Sequence, residues 1–164
     1  MDDVDDIVKL AGDIDIVRTT LNIPYPYERE DAIAWLSTHA EGWEKKESVN
    51  LAITRRSDGA YAGGIGFTLQ LRFDKAALGY WVAKPYWGKG YATEAARALI
   101  HYGFTELNLN RIEADYFANN PASGRVMQKL GMTHEGFAKQ AYKKWGEYID
   151  TERYAILKSD YSAD

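Results

Sequence analysis

Apolar residues recur at helical spacing at Ile7, Leu10, Ile14, Val17 and Leu21, and Gly12-Asp13 marks a break within them. Pro24 and Pro26 then enforce an extended loop from Ile23 to Tyr27. Near Glu30 the pattern predicts a second helix, with an apolar stripe of Ile33, Leu36, Ala40 and Trp43. The period then shortens. Asn50 to Thr54 reads as a strand, Ser57-Asp58-Gly59 as a turn, Tyr61 to Leu69 as a second strand and Ala76 to Ala83 as a third, ended by Pro85. Tyr91 to Phe104 is an Ala-rich helix with Ala92, Ala95, Ala96, Leu99 and Gly103 on one face. Arg111 to Phe117 is a strand, Ala122 to Leu130 a short helix with Gly131 placed to terminate it, and His134 to Gln140 and Ile149 to Leu157 a closing antiparallel pair. The order α-α-β-β-β-α-β-α-β-β predicts a mixed α/β domain around one central sheet.

A chain of 164 residues suits one domain with a single core. Its apolar and charged fractions are those of a soluble globular protein. The formal net charge of −4 argues against a nucleic-acid partner and suits a cationic one, such as a free amine. The absence of cysteine excludes disulfides, thiolate nucleophiles and cysteine metal sites. His39, His101 and His134 lie far apart without ligand spacing, so no metal is expected. Asp2, Asp3, Asp5 and Asp6 follow Met1 with no basic region and no long apolar run. No signal peptide or membrane span is expected, and the default location is the cytoplasm.

The chemistry concentrates between Leu78 and Ala96, which read as a strand, a glycine-bearing turn and a helix N-terminus. Helix N-termini carry free backbone N–H groups and a partial positive charge. A glycine turn leading into one lets those amides close on a phosphate. Gly88 and Gly90 allow close backbone approach, Lys89 adds a cation, and Ala92 is too small to obstruct. A Walker loop would need four residues between its first glycine and a Gly-Lys-Ser/Thr end, and none is present. A Rossmann fingerprint would need a third glycine where Thr93 stands. Gly63-Gly64-Ile65-Gly66 lies inside a strand with no helix after it, so it reads as a bulge or a close backbone contact. A plain strand-to-helix turn remains the alternative reading of Gly88-Lys89-Gly90.

The segment Val82 to Ala96, through Pro85-Tyr-Trp-Gly-Lys-Gly-Tyr-Ala-Thr-Glu-Ala95, resembles motif A of the GNAT family of N-acetyltransferases, in the form found in its RimJ/RimL-like branch, which acetylates protein N-termini. The general Gln/Arg-x-x-Gly-x-Gly/Ala pattern falls on Trp87, Gly90 and Ala92, with Trp87 as the departure. Asn120-Pro-Ala-Ser123 with Lys129-Leu-Gly131-Met132 resembles motif B, Met132 replacing the usual Phe. Gly136 to Ala141, Gly146 to Asp150 and Ile23 to Tyr27 also resemble this branch, so the likeness covers nearly the whole chain. It implies a single N-acetyltransferase domain over 1–164, with a central, mostly antiparallel, twisted sheet flanked by helices. Family members usually open with a strand before the first helix. This chain starts at that junction, and a missing strand would leave an open edge that favours pairing with a second copy.

The resemblance also implies roles. Tyr80, Trp81 and Val82 would pair with the pantetheine arm of acetyl-CoA, and a strand amide there would polarise the thioester carbonyl. The amides of Gly88, Lys89, Gly90, Tyr91, Ala92 and Thr93, beside Trp87, would take the pyrophosphate, and Asn120 would bond the arm. Many relatives place a tyrosine proton donor where Met127 stands, and a thioether cannot donate. Ser123 is the nearest alternative, though a serine in a first helical turn also serves as a cap. For the base the resemblance offers Asp115, whose other reading is an exposed strand residue. Tyr142 stands where the branch carries a glutamate. Unperturbed tyrosine titrates near pH 10, so it is a poor base, and water remains a third route. Tyr25, Tyr27 and Glu28 fall on the loop bordering the acceptor cleft, where aromatic walls and a carboxylate suit a cationic amine, or they staple the next helix.

Three functions stay open on these residues: acetylation of a protein α-amine, acetylation of a small amine such as a polyamine or aminoglycoside, and an acyl-CoA-binding module without catalysis.

Overall fold

The computed structural model describes residues 3–162. The first apolar run divides where Gly12 and Asp13 fall. Helix α1 is Val4–Ala11 and the single turn α2 is Ile14–Val17, whose N-terminus is capped by the Asp13 carboxylate accepting from the Asp15 N–H at 2.9 Å. Helix α3, Arg29–Glu44, begins in a capping box between Glu28 and Asp31.

The expected stripe on α3 is wrong by about one residue of helical rotation. Ile33, Ala40 and Trp43 are exposed, while Ala32 and Gly42 are buried and Trp35 and Leu36 half-buried. The reason is close approach. Ala32 packs among Val4, Ile7, Ala11 and Tyr61, and a Cβ on Gly42 would lie 2.2 Å from Ser48 Oγ. Small side chains set the contact, and the large apolar ones flank it.

Six strands form one sheet: β1 Ser48–Thr54, β2 Tyr61–Gln70, β3 Lys75–Val82, β4 Arg111–Phe117, β5 Thr133–Lys144 and β6 Glu147–Leu157. Their order is β1-β2-β3-β4-β6-β5, antiparallel throughout except for β3 and β4. Among the described residues no strand precedes α1, and β1 pairs on one side only. Helix α4, Tyr91–Thr105, is the crossover that parallel β3 and β4 require. Helix α5, Pro121–Lys129, follows β4. It ends with Gly131 at φ +75°, where the Met132 N–H reaches the Met127 carbonyl and the Gly131 N–H that of Gln128.

Alternation along the strands sorts side chains onto two faces. Ile65, Phe67, Leu78, Ile112 and Ala114 join Leu99, Ile100, Phe104 and Met127 in the larger core, under α4 and α5. Each large side chain fully buried there contributes roughly 1.5–3 kcal/mol. The opposite face is covered only in part by α1 and α3, over Tyr61 and Trp81.

The Gly63-Gly64-Ile65-Gly66 run makes the close backbone contact read for it, while the bulge falls just before it, at Ala62. The β1–β2 register shifts beside Ile53 and Thr54, and a Cβ on Gly66 would meet the Val49 carbonyl at 2.3 Å. Strand β5 runs four residues past its expected end. A bulge between Ala138 and Tyr142 absorbs the register change, with Gln140 left-handed at φ +54° and its N–H held by the Asp150 carboxylate at 2.7 Å. Among the described residues no helix is long and apolar enough to cross a membrane.

Candidate active site

Strands β3 and β4 pair at only three positions, Lys75 with Arg111, Ala76 with Ile112 and Ala77 with Glu113, and then part. Beyond Ala77, β3 keeps its pairing to β2 and, among the described residues, has none on the other side. The Ala83 N–H bonds to the Ala62 carbonyl, so by alternation the Tyr80 and Val82 backbone groups face the gap. The Val82 carbonyl is taken by the Trp87 indole N–H at 2.6 Å, which leaves the Val82 N–H and both Tyr80 groups free.

The end of the gap is closed by the head of α4. Gly88 and Gly90 adopt φ of +73° and +88°, and Gly90 is the N-cap with no side chain to satisfy the turn. The first α4 amide with an acceptor is that of Glu94, bonded to the Gly90 carbonyl at 3.0 Å. Among the described residues the N–H groups of Gly88 through Thr93 find no acceptor in the protein. Six consecutive free donors, with the cations of Arg125 and Lys129 on the same cleft, form a cradle of the kind that takes a phosphate. The Cβ positions of Gly88 and Gly90 meet nothing within 4 Å, so the cradle is open above the two glycines.

Two clefts lead from the gap. One, of about 440 Å³, runs along Val82, Trp87 and the amide cradle to Asn120 and Arg125. The other, of about 420 Å³, opens on the sheet face that α1 and α3 leave bare. Its floor is Gly64, Gly66, Ala77 and Gly79, and its walls include Trp35, Trp81, Asn50, Phe117 and Tyr142. Tyr80, Trp81, Ser123, Thr19 and Thr20 line both, so the clefts meet at those residues.

The model of the acetyltransferase (GNAT) domain matches residues 1–133. The chain belongs to the GNAT acetyltransferase family. The uncharacterized N-acetyltransferase YoaA of Bacillus subtilis is 35% identical over 130 residues, covering 79% of this chain and 73% of that one. The [ribosomal protein uS5]-alanine N-acetyltransferase of Escherichia coli is 32% identical over 90 residues, 55% of this chain and 46% of that one. An acetyltransferase (GNAT family) from Bacillus anthracis has a crystal structure that superposes with a TM-score of 0.85 at 28% identity, covering 96% of this chain and 90% of that one.

In this acetyltransferase the expected site residues divide. Tyr80, Trp81, Val82, Trp87, Gly88, Gly90, Tyr91, Ala92, Thr93, Asn120 and Ser123 all line the cleft along the amide cradle, and Lys89 stands over the Tyr86 ring at 5.7 Å. Ser123 is not a cap. The N-cap of α5 is Asn120, and the Ser123 hydroxyl accepts from the Tyr80 hydroxyl at 3.0 Å. Met127 is 2% exposed, part of the core.

Asp115 is neither free nor an exposed strand residue. It lines the open trough, and Arg153 on β6 donates to its two oxygens at 2.9 Å each. Tyr142 lines the same trough with its ring 6.5 Å from that of Phe117. Tyr25, Tyr27 and Glu28 do not line it. Tyr25 meets Trp145 edge-on, Glu28 caps α3, and Tyr27 packs with the α1–α3 cluster, where burial and then Asp31 push its phenol upward.

The loop that does wall the trough is Thr19 to Ile23. Lys144, from the β5–β6 hairpin, holds it by donating to the carbonyls of Thr20, Leu21 and Ile23. Burial lowers the pKa of that ammonium. Asn50, Glu113, Tyr116 and the buried Thr151 also line the trough, and none carries a motif that would have singled it out. Among the described residues no group of three or more His, Asp or Glu could hold a metal ion.

Proposed function

We propose that this acetyltransferase moves the acetyl group of acetyl-CoA to the N-terminal α-amine of a protein. The observation that carries the acceptor class is the charge balance of the trough. Its carboxylates are Glu113 and Asp115, and both are already matched, Glu113 by Lys75 at 2.9 Å and Arg111 at 3.1 Å, Asp115 by Arg153. Although burial raises its carboxyl, the bonds from Lys75 and Arg111 carry the Glu113 pKa below its ordinary value. A polyamine or aminoglycoside would bring several ammonium groups to a wall with no unmatched carboxylate, and each would lose hydration without a partner. A protein N-terminus brings one ammonium on a neutral backbone, and Thr19, Thr20, Asn22, Asn50 and Thr68 offer uncharged polar partners. The named activity of the E. coli relative supports the same class.

Acetyl-CoA supplies a thioester carbonyl open to a neutral amine and a thiolate able to leave. The free amides of Gly88 to Thr93 bind the pyrophosphate, with Arg125 and Lys129 adding charge. The open edge of β3 at Tyr80 and Val82 orients the arm, and Asn120 lies beside it. Ser123, at the meeting of the clefts, holds a proton at Oγ for the leaving sulfur, a task closed to the Met127 thioether. Proton uptake by Asp115 would break its ion pair with Arg153, so the amine sheds its proton to water. Tyr142 shapes the acceptor end.

The test is competition between acceptors. Peptides with free N-termini should show kcat/KM well above those of spermidine and an aminoglycoside, and an N-terminally blocked peptide should show none. Preference for the polycations would overturn the acceptor class, and no turnover with any amine would overturn transfer itself.

A further inference from the structure

We infer that the Tyr80 side chain is a positioning residue that aims the Ser123 hydroxyl at the sulfur of the bound coenzyme. The inference rests on the reading of Ser123 above, and it adds a group, the Tyr80 phenol, that neither the motifs nor the backbone pairing of β3 involves.

The geometry is specific. Tyr80 lies on β3 where that strand has lost β4, and its side chain crosses the gap to the first turn of α5. Its hydroxyl donates to Ser123 Oγ at 3.0 Å and stands 3.4 Å from the Ser123 carbonyl. A serine hydroxyl has one proton and two lone pairs. With one lone pair occupied by the tyrosine proton, the serine proton must point away from Tyr80. Both residues line both clefts, so the space on offer is the junction through which the reacting end of the coenzyme passes. A donated bond also polarises the hydroxyl that receives it and strengthens its own donation.

The partners on each side keep this arrangement in place. Tyr80 packs against the larger core, and burial raises its phenol pKa, so the O–H remains a donor through neutral pH. Gly124, next to Ser123, leaves room for Tyr116, since a Cβ there would lie 2.5 Å from the Tyr116 hydroxyl. The α5 turn therefore sits close against β4 and brings Ser123 within reach of Tyr80. The proton stays on Tyr80 throughout, because ionising the buried phenol is unfavourable. Its contribution is direction and polarisation, while Ser123 makes the contact with sulfur.

The experiment reads the thiol of bound CoA, which needs no acceptor. The ultraviolet absorbance of the thiolate is followed against pH in the CoA complex of the wild type, Tyr80→Phe, Ser123→Ala and the double variant. A hydrogen bond to the thiolate lowers the thiol pKa, so Ser123→Ala should raise it. Tyr80→Phe should raise it by about half a unit to one unit, the size expected for a lost hydrogen bond. The double variant should match Ser123→Ala alone, because the phenol acts only through the serine. In turnover, Tyr80→Phe should lower kcat by up to about tenfold with CoA affinity unchanged.

A Tyr80→Phe titration identical to the wild type, or shifts that add in the double variant, would overturn the inference. Those results could stand beside normal transfer to peptides, which would leave the proposed function intact. Failure of the wild type to bind CoA would end both.

Discussion

Asp115 and Arg153 face each other across β4 and β6, and the guanidinium spans both carboxylate oxygens at 2.9 Å. Each carboxylate oxygen keeps a second lone pair, but a proton taken from the amine would neutralise the carboxylate and break the ion pair with Arg153. Asp115→Asn should therefore leave the acidic limb of the kcat/KM profile in place, because that limb reports the amine itself. The pair is partly exposed, with 55% of the Arg153 side chain open to solvent, so its loss should cost about 1 kcal/mol or less. Steady-state kinetics across pH and a thermal melt check both. Disappearance of the acidic limb would make Asp115 the base.

Gly90 is left-handed at φ +88°, and a side chain there would project into empty space at the amide cradle. Gly90→Val should cost about 1–2 kcal/mol in stability for the backbone alone and abolish CoA binding in calorimetry. Gly59 supplies the control. It too is left-handed, at φ +73°, with nothing within 4 Å, but it lies in the β1–β2 turn. Gly59→Val should be destabilised similarly and bind CoA normally.

Gly79 and Gly66 sit opposite each other on the floor of the trough and should respond differently. A Cβ on Gly79 meets nothing within 4 Å, whereas on Gly66 it would strike the Val49 carbonyl at 2.3 Å. Gly79→Val should fold within about 0.5 kcal/mol of the wild type and raise the acceptor KM while sparing CoA affinity. Gly66→Ala should instead lose about 1–3 kcal/mol of stability by overpacking. Melting curves and acceptor titrations separate the two.

The site was legible where local chemistry made it. The strand, glycine turn and helix from Leu78 to Ala96 announce themselves through residues adjacent in the chain. The face of α3 did not, because Ala32 and Gly42 are chosen for closeness to α1 and Ser48, which lie elsewhere in sequence. Tyr25, Tyr27 and Glu28 lie just past the segment that walls the trough, and their chemistry is spent on Trp145, the core and a helix cap. The phenol of Tyr80 could not be read at all. It acquires its partner only when α5 folds back across β3, 43 positions along the chain.

His39 packs edge-on against Trp35 with ring centroids 4.4 Å apart, and among the described residues its buried Nε2 finds no partner. Burial lowers its pKa from the ordinary 6.5. The native state then binds this proton more weakly than the unfolded chain, so stability is lost as pH falls from above about 6.5 toward the depressed value. Melting temperature should drop between pH 7.5 and pH 5.5, and His39→Leu should drop less. Parallel curves would show that His39 makes no contribution to the loss.

The most direct measurement is the location of the transferred group. A peptide with a free α-amine and an internal lysine is incubated with the enzyme and acetyl-CoA, and tandem mass spectrometry locates the acetyl group. The trough geometry and its matched charges predict one acetyl group, on the α-nitrogen, with an equivalent of CoA released. Acetyl on the lysine alone, or an unmodified peptide under conditions in which spermidine is acetylated, would contradict the account.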